Sequence, residues 1–162
     1  MEFGNSLVLV EQAQGLIADW TFEGKEAPAD PRQLPGVVAR LQKRFGKGTI
    51  RGLGADRGFD SAENRALLKR EKIYNGICPR SVKALKTRRG QKRFRELQHR
   101  RSQTEGRIGI LKNDFLGRPL RAKGHEHREL AVAWSVLAHN LWVLARQEVV
   151  EKGEAEGERL AA

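Results

Sequence analysis

The first half of the sequence alternates short strand-like runs with longer amphipathic helical patterns. Ser6 to Val10 is aliphatic and β-branched, and Leu16 to Phe22 has the two-residue alternation of a half-buried strand. The turn between these runs predicts a hairpin. Helical and strand patterns then alternate over residues 30–45, 49–55, 60–72 and 73–78. This alternation predicts an α/β fold in which helices cover a sheet.

Capping residues indicate where two of these helices begin. Asp30 followed by Pro31 is typical of an N-cap and a first helical position. Asp60, followed three residues later by Glu63, predicts a capping box. The strand before this second helix delivers Asp56 at its carboxyl end, where ligands of α/β sheets tend to bind.

The second half of the sequence is dominated by helical patterns. Residues 81–95 are rich in Lys and Arg and predict an exposed basic loop or a loosely held helix, and the next helix carries Glu105 and runs to about Phe115. Residues 126–147 form the strongest helical pattern, with apolar residues at Leu130, Trp134, Leu137, Leu141 and Leu144. A second apolar side predicts either a central packing helix or a dimer contact. The three tryptophans are expected to pack in the core: Trp20, Trp134 and Trp142.

The positive charge is confined to one segment. The formal net charge is +11, and Arg80 to Lys123 contains 15 Lys and Arg against three acids, so the remainder of the chain sums to −1. Such confinement is the footprint of a polyanion-binding site more than of general solubility.

The composition also indicates the cellular compartment in which the protein is expected. The single cysteine, Cys78, cannot form an intramolecular disulfide, which favours a reducing compartment. The most apolar stretch, Leu130 to Leu144, is too short and too polar to span a bilayer. The sequence predicts a soluble cytoplasmic protein with no membrane partner.

Three charged residues fall on one predicted helix face. Arg101, Glu105 and Lys112 lie within about 40° of one another at the α-helical period. A carboxylate between two cations can hold a metal ion while its neighbours hold phosphate. The alternative is an ordinary solvated face with ion pairs between residues four apart.

Two motifs together resemble a known family. The segment G-A-D-R-G-F-D-S-A-E-N, residues 54–64, and the R-x3-E-x6-K pattern formed by Arg101, Glu105 and Lys112 resemble the DDE transposases of bacterial insertion sequences. In one group of that family the glutamate sits in a Y-x2-R-x3-E-x6-K signature. The segments E-F-G-N, residues 2–5, and L-A-H-N-L-W, residues 137–142, also resemble recurrent segments of that group.

The resemblance implies a ribonuclease H-like fold, with a mixed sheet and flanking helices, and a site in which three carboxylates bind two divalent ions, Mg²⁺ or Mn²⁺. Asp56 would be the second acid and Glu105 the third, and both would be metal ligands. Arg101 and Lys112 would position phosphates, with Arg100 and Arg107 as further DNA-binding residues. The implied partner is DNA at the terminal inverted repeats of an insertion sequence, and the implied reaction is two-metal phosphoryl transfer.

The sequence departs from the family pattern at two places. The tyrosine of the signature corresponds to Gln98, which can hydrogen-bond to DNA but cannot stack. The family's first aspartate lies on a central strand upstream of E-F-G-N, and neither Asp19 nor Asp30 is assigned that role. We therefore expect the C-terminal part of a transposase, either a truncated copy or one product of a split reading frame. Such a chain lacks the first strand, and its two-ion site would form only in the complete domain.

The expected organisation is a partial catalytic domain over residues 1–147, with a basic DNA-binding segment at 80–123, and a flexible charged tail at 148–162. We expect association with the nucleoid and a homo-oligomer or a mixed oligomer with intact transposase. Two alternatives remain open: a non-catalytic DNA-binding protein or transposition inhibitor, and a basic RNA-binding protein.

Overall fold

The computed structural model describes residues 6–24, 28–117 and 120–161, with side chains described as far as Val150. The described residues form four strands and five helices, which confirms the α/β class: β1 (Ser6–Glu11), β2 (Ile17–Glu23), α1 (Asp30–Phe45), β3 (Gly52–Ala55), α2 (Ala62–Arg70), β4 (Tyr74–Ile77), α3 (Val82–Arg89), α4 (Lys92–Ile110) and α5 (His125–Ala161). A 3-10 turn, Arg57–Phe59, precedes α2, and a π-helical segment, Leu111–Leu116, follows α4. The E-F-G-N segment lies outside the described residues.

The chain divides into two compact units. Among the described residues, the first unit consists of Ser6 and residues 23–106, and the second combines residues 7–22 with the residues from Arg107 onward. The hairpin β1–β2 therefore belongs almost entirely to the second unit, while β3, β4 and the first four helices belong to the first, apart from the last residues of α4.

The strands of the described residues form two separate two-stranded sheets, β1–β2 and β3–β4, so the expected single mixed sheet is not present there. The predicted hairpin is confirmed. β3 and β4 are parallel, with a register that runs from Gly52 beside Tyr74 to Ala55 beside Ile77. The crossover through α2 makes this pair a β-α-β unit, which the alternating pattern predicted.

One face of the β3–β4 sheet carries the apolar core of the first unit. Leu34 and Val38 of α1 and Leu68 of α2 cluster with Ile73 and Ile77, and Leu53 and Ala55 of β3 pack against this cluster. The five clustered side chains are at most 4% exposed, while Leu53 and Ala55 are partly buried. The amphipathic patterns of α1 and α2 therefore find their apolar faces buried against one side of the sheet.

The other face of this sheet is lined by glycine. Gly52, Gly54 and Gly76 all lie against Leu97 of α4. A Cβ atom at Gly76 would stand 2.6 Å from the Leu97 Cδ1 atom and 2.7 Å from the Leu53 carbonyl oxygen. The glycines therefore allow α4 to approach the strands more closely than side chains would permit.

The second unit has its own core. Leu111 of the π-helical segment and Val132 and Val136 of α5 are buried together, and hairpin side chains pack against them, among them Leu9, Ile17 and Trp20. Glu11 and Arg107 form an ion pair, and the Arg107 guanidinium lies beneath the hairpin turn at Gly15. The hairpin thus supplies the sheet side of a core whose helical side is α5.

Both predicted helix caps are wrong by one residue. Ala29 occupies the N-cap of α1 without a side-chain hydrogen bond, and Asp30 is the first helical residue. The N-cap of α2 is Ser61, whose hydroxyl accepts a hydrogen bond from the Asn64 N–H at 3.1 Å. Asp60 does not cap this helix because Arg65 and the Arg80 backbone N–H take its carboxylate.

The last helix differs from its prediction in length and in the place of one tryptophan. It continues to Ala161, through residues predicted to form a tail, and these are rich in the strong helix formers Ala, Glu, Lys and Arg. Its buried side carries Val132, Val136 and Val143. Trp134 is 63% exposed, so its predicted place in the core is wrong, whereas Trp20 packs on the core as predicted.

Candidate functional site

Asp56 stands at the carboxyl end of β3, as the sequence predicted. It is exposed, and its carboxylate accepts a hydrogen bond from the backbone N–H of Arg57 at the start of the 3-10 turn. The parallel register places Cys78 beside it, because the Cys78 N–H donates to the Ala55 carbonyl. The carboxylate therefore sits at the edge where both parallel strands end, with its remaining oxygen lone pairs open to solvent.

The turn that carries Asp56 is anchored by a buried carboxylate. Asp60 is 8% exposed, forms an ion pair with Arg65 at 2.5 Å and accepts a hydrogen bond from the Arg80 N–H at 3.0 Å. The Arg80 guanidinium donates back to the carbonyls of Arg57 and Gly58, at 3.4 and 3.3 Å. Sequence reasoning assigned Asp60 to a helix cap and missed this role, since no local pattern shows a contact 20 residues away.

The helix that carries Glu105 runs in the same direction as β3. Near its start, the Arg93 guanidinium donates to the Arg51 carbonyl, ahead of the strand, at 2.6 Å. One turn later Leu97 lies against Gly54, where a Cβ atom would stand 3.0 Å from the Leu97 carbonyl oxygen. Because the two contacts occur in the same order along β3 and α4, these two elements run in roughly the same direction.

Both predicted acids follow the contact between Leu97 and Gly54, each along its own element. A helix rises about 1.5 Å per residue and a strand about 3.3 Å. Arg101 is one helical turn beyond Leu97, and Asp56 is two strand residues beyond Gly54, so each lies about 6 Å along its own element from that contact. Glu105 follows Arg101 by one further helical turn, about 6 Å along α4.

A chain of side-chain contacts connects the sheet to Glu105. Gln98 donates to the Gly76 carbonyl at 2.6 Å, and its Oε1 atom accepts from the Arg101 Nε at 3.3 Å. The Arg101 guanidinium forms an ion pair with Glu105, four residues later. Gln98, at the position of the family's tyrosine, thus orients an arginine that in turn orients the acid.

Several arginines of the basic segment hold the first unit together. Arg88 lies over the Phe94 ring, 4.5 Å from its centroid, and donates to carbonyls of β4. Arg93 lies over the Tyr74 ring, and Arg95 donates to two carbonyls at the end of α3. The sequence pattern does not show which arginines make such contacts within the protein and which cations face solvent.

The remaining cations of α3 and the first part of α4 include an exposed set that faces solvent: Lys83, Lys86, Arg89, Lys92 and Arg100. Arg100, predicted to bind DNA, belongs to this set. These side chains are distributed along α3 and the part of α4 that precedes Glu105. They make the first unit's helical surface strongly basic, which is the charge that phosphate contacts require.

Two predicted DNA-binding residues belong to the second unit. Lys112 is half-buried in the π-helical segment, so the α-helical period from which the stripe was predicted ends at Ile110, before it. Arg107 pairs with Glu11, whose side chain is 7% exposed. The guanidinium of Arg107 therefore already has a carboxylate partner in this structure.

The L-A-H-N-L-W segment lies in α5 and holds the hairpin. Asn140 exchanges two hydrogen bonds with the backbone of Ile17, at 2.8 and 3.0 Å. His139 is 1% exposed, lies edge-on to Phe115, and leaves its Nε2 atom without a hydrogen-bond partner. Burial lowers the pKa of His139, Asn140 opposes this by hydrogen bonding, and Arg107 lowers it further. This segment therefore has a packing role in the second unit.

Among the described residues, no group of three or more His, Cys, Asp and Glu side chains could hold a metal ion. In the same residues, no helix is long and apolar enough to cross a membrane.

Comparison with known proteins gives one match. The family model described as Transposase DDE domain matches residues 6–141. No curated protein and no solved structure matches this chain. The family match covers most of the chain and includes both motifs on which the resemblance rests.

Proposed function

Because the chain belongs to the family of DDE transposases, we propose that Asp56 and Glu105 contribute to a two-metal site for phosphoryl transfer at the ends of an insertion sequence. The observation that supports this proposal is the common order of contacts along β3 and α4, since Asp56 and Glu105 each follow the Leu97–Gly54 contact along these two elements of the first unit. A ribonuclease H-like fold is part of the proposal.

The chemistry of the two acids fits a hard divalent cation. Carboxylate oxygens suit Mg²⁺ and Mn²⁺, which keep several waters and take substrate phosphate as a further ligand. Asp56 and Glu105 are both exposed, and each has only one described partner, the Arg57 N–H and the Arg101 guanidinium. Bound ions would activate the nucleophile and stabilise the leaving oxygen of an in-line displacement. Arg101 holds the Glu105 carboxylate in a defined orientation.

The basic surface supports DNA as the substrate. The exposed cations of α3 and α4 would contact phosphates, and Arg101 would position the phosphates nearest to the acids. Lys112 of the second unit is proposed as a further phosphate ligand. Arg107 is left out of this proposal because Glu11 holds its guanidinium. Binding to chromosomal DNA would place the protein at the nucleoid in the cytoplasm. The terminal inverted repeats of an insertion sequence are the proposed specific target.

The metal site can be tested without DNA cleavage. Mn²⁺ broadens NMR signals of nearby nuclei, so titration should selectively broaden the signals of Asp56, Arg57 and Glu105. Asp56→Asn and Glu105→Gln should each weaken this effect. Glu96→Gln is the matched control, because Glu96 is an exposed acid on the same helix. Glu96→Gln should leave the broadening unchanged. If the Glu96 signal broadened as much as the signals of Asp56 and Glu105, the Mn²⁺ binding would not be specific to the proposed site.

Catalysis by the chain alone is not part of the proposal. The resemblance implies three carboxylates, and we assign only two of them here. We therefore expect the purified chain to bind inverted-repeat DNA without cutting it. Mg²⁺-dependent cleavage of that DNA by the purified chain would show that a third ligand is present after all.

A non-catalytic DNA-binding role, as an inhibitor or a partner of intact transposase, is the second candidate. It is favoured by the pairing of Glu105 with Arg101, which is also what an ordinary helix surface would show. Under this candidate, Glu105→Gln should leave DNA affinity unchanged or raise it, with or without Mg²⁺. Under the first, Mg²⁺ should strengthen binding to inverted-repeat DNA, and Glu105→Gln should abolish that gain. Both predict affinity that falls steeply with salt.

A further inference from the structure

One side of α5 carries an exposed line of large apolar side chains. We call it the apolar stripe, and it consists of Leu130, Trp134, Leu137, Leu141 and Leu144. These residues are between 48% and 63% exposed. Exposed apolar residues scattered singly need no explanation, but a continuous line of them marks an interaction surface.

The stripe lies opposite the side on which α5 packs in its own unit. Val132, Val136, His139 and Val143 are buried, at 8% exposure or less. At about 100° per residue, the centres of the two faces are about 150° apart. The helix is therefore apolar on both sides, and a helix of that kind normally has partners on both.

The spacing of the stripe indicates that its partner is a helix. Successive stripe residues are separated by four, three, four and three positions, which is the pattern of a heptad seam. The seam is about 21 Å long at 1.5 Å per residue. Exposed alanines at Ala138 and Ala145 flank it seven residues apart, and such small side chains let a second helix approach closely.

The absence of charged residues along the stripe indicates that the partner helix is α5 of a second copy. From Leu130 to Ala145 the sequence contains no Lys, Arg, Asp or Glu, although the whole chain carries +11. Two copies of this seam can therefore meet without placing like charges against each other. Five half-exposed side chains present on the order of 500 Å² per copy, within the usual range of a large apolar patch. A pair would bury about 1,000 Å², the lower limit for a specific interface.

We propose that the apolar stripe of α5 is a self-association surface that binds the same stripe of a second copy of this chain, as a two-fold helix pair. The small area makes the dimer reversible and dependent on concentration. This proposal does not depend on the metal site or on DNA binding. It names the surface for the homo-oligomer that the sequence led us to expect.

Sedimentation equilibrium of the nucleic-acid-free protein at high salt tests the proposal, because high salt removes dimers bridged by DNA. The wild type should shift from monomer to dimer as concentration rises. Leu137→Lys/Leu141→Lys should remain monomeric over the same range. Ala39→Lys/Ala66→Lys adds the same charge at exposed positions of α1 and α2 and should dimerise like the wild type.

Circular dichroism of the monomeric variant shows whether the fold survives. Because both leucines are exposed, its helix content should match that of the wild-type monomer. A wild type that stays monomeric at all concentrations would overturn the proposal. So would a Leu137→Lys/Leu141→Lys variant that dimerises normally, or one that unfolds at wild-type monomer concentrations, since unfolding would mean that the stripe is needed within a single chain.

Discussion

Asn140 completes the backbone hydrogen bonding of Ile17 as a neighbouring strand would. Its Oδ1 atom accepts from the Ile17 N–H at 2.8 Å, and its Nδ2 atom donates to the Ile17 carbonyl at 3.0 Å. A helix side chain thus fixes one residue of β2 in the second unit. Asn140, in the L-A-H-N-L-W segment, therefore has a structural role that does not involve DNA.

Replacing Asn140 should destabilise the protein without a direct effect on the acids. Asn140→Ala leaves the N–H and carbonyl of a half-buried strand residue unpaired, which should lower the free energy of unfolding by about 2 kcal/mol. Urea denaturation measures this change. Asn113→Ala, at an exposed position, should change it by less than about 0.5 kcal/mol. Equal effects of the two variants would show that the paired hydrogen bonds contribute little.

Two arginines close together in the sequence should behave differently when removed. Arg107→Ala leaves the buried carboxylate of Glu11 without its ion-pair partner and should cost about 2 kcal/mol of unfolding free energy. Arg100→Ala should leave stability unchanged and weaken DNA binding, since Arg100 is exposed. Thermal unfolding and DNA titration of both variants provide the comparison. A stable Arg107→Ala protein with weakened DNA binding would instead restore Arg107 as a phosphate ligand.

Loss of Gln98 should release Arg101. In Gln98→Leu, both hydrogen bonds of the Gln98 side chain are removed while the volume is similar. We expect the Arg101 Nε–Hε NMR signal to exchange faster with solvent by at least severalfold. Gln103→Leu, an exposed change on the same helix, should leave the signal unaffected. A signal that is unchanged in Gln98→Leu would mean that Glu105 alone orders Arg101.

His139 should make the protein less stable in mild acid. Its pKa is lowered in the folded state, chiefly by burial, so the unfolded chain binds the proton more readily. Its contribution is therefore complete above the unfolded pKa of about 6.5 and is lost as the pH falls through the lower folded value. Urea denaturation between pH 8 and 5 should show a shallower pH dependence in His139→Gln than in the wild type. His99→Gln, at an exposed position, should retain the wild-type dependence.

The elements themselves were largely predictable because their signals are local. The two-residue alternation of β2 and the turn before it predicted the hairpin, and the end of a short strand predicted the position of Asp56. The caps were less secure, because Asp60 and Ser61 are both good N-cap residues in sequence. The contacts of the Asp60 carboxylate with the Arg65 side chain and the distant Arg80 N–H decide between them.

Specific side-chain contacts could not be predicted from the sequence. Nothing local shows that Arg88 covers Phe94 while Lys86 faces solvent, or that Arg107 pairs with Glu11. The orientation of α5 was also ambiguous, because both of its sides are apolar and periodicity alone does not say which is buried. The Leu and Trp side has the larger residues, yet the valine side packs in the second unit, where smaller side chains fit against the hairpin core.

The glycines beneath α4 make the geometry of the acids sensitive to residues that never meet a substrate. A single methyl group at Gly76 has no room, since Leu97 and the Leu53 carbonyl already occupy its place. Gly76→Ala would have to displace the β3 backbone at Leu53 and the side chain of Leu97, which belongs to the helix that carries Arg101 and Glu105. Variation at this buried position would therefore appear in an assay as a loss of function, although the altered residue has no chemistry of its own.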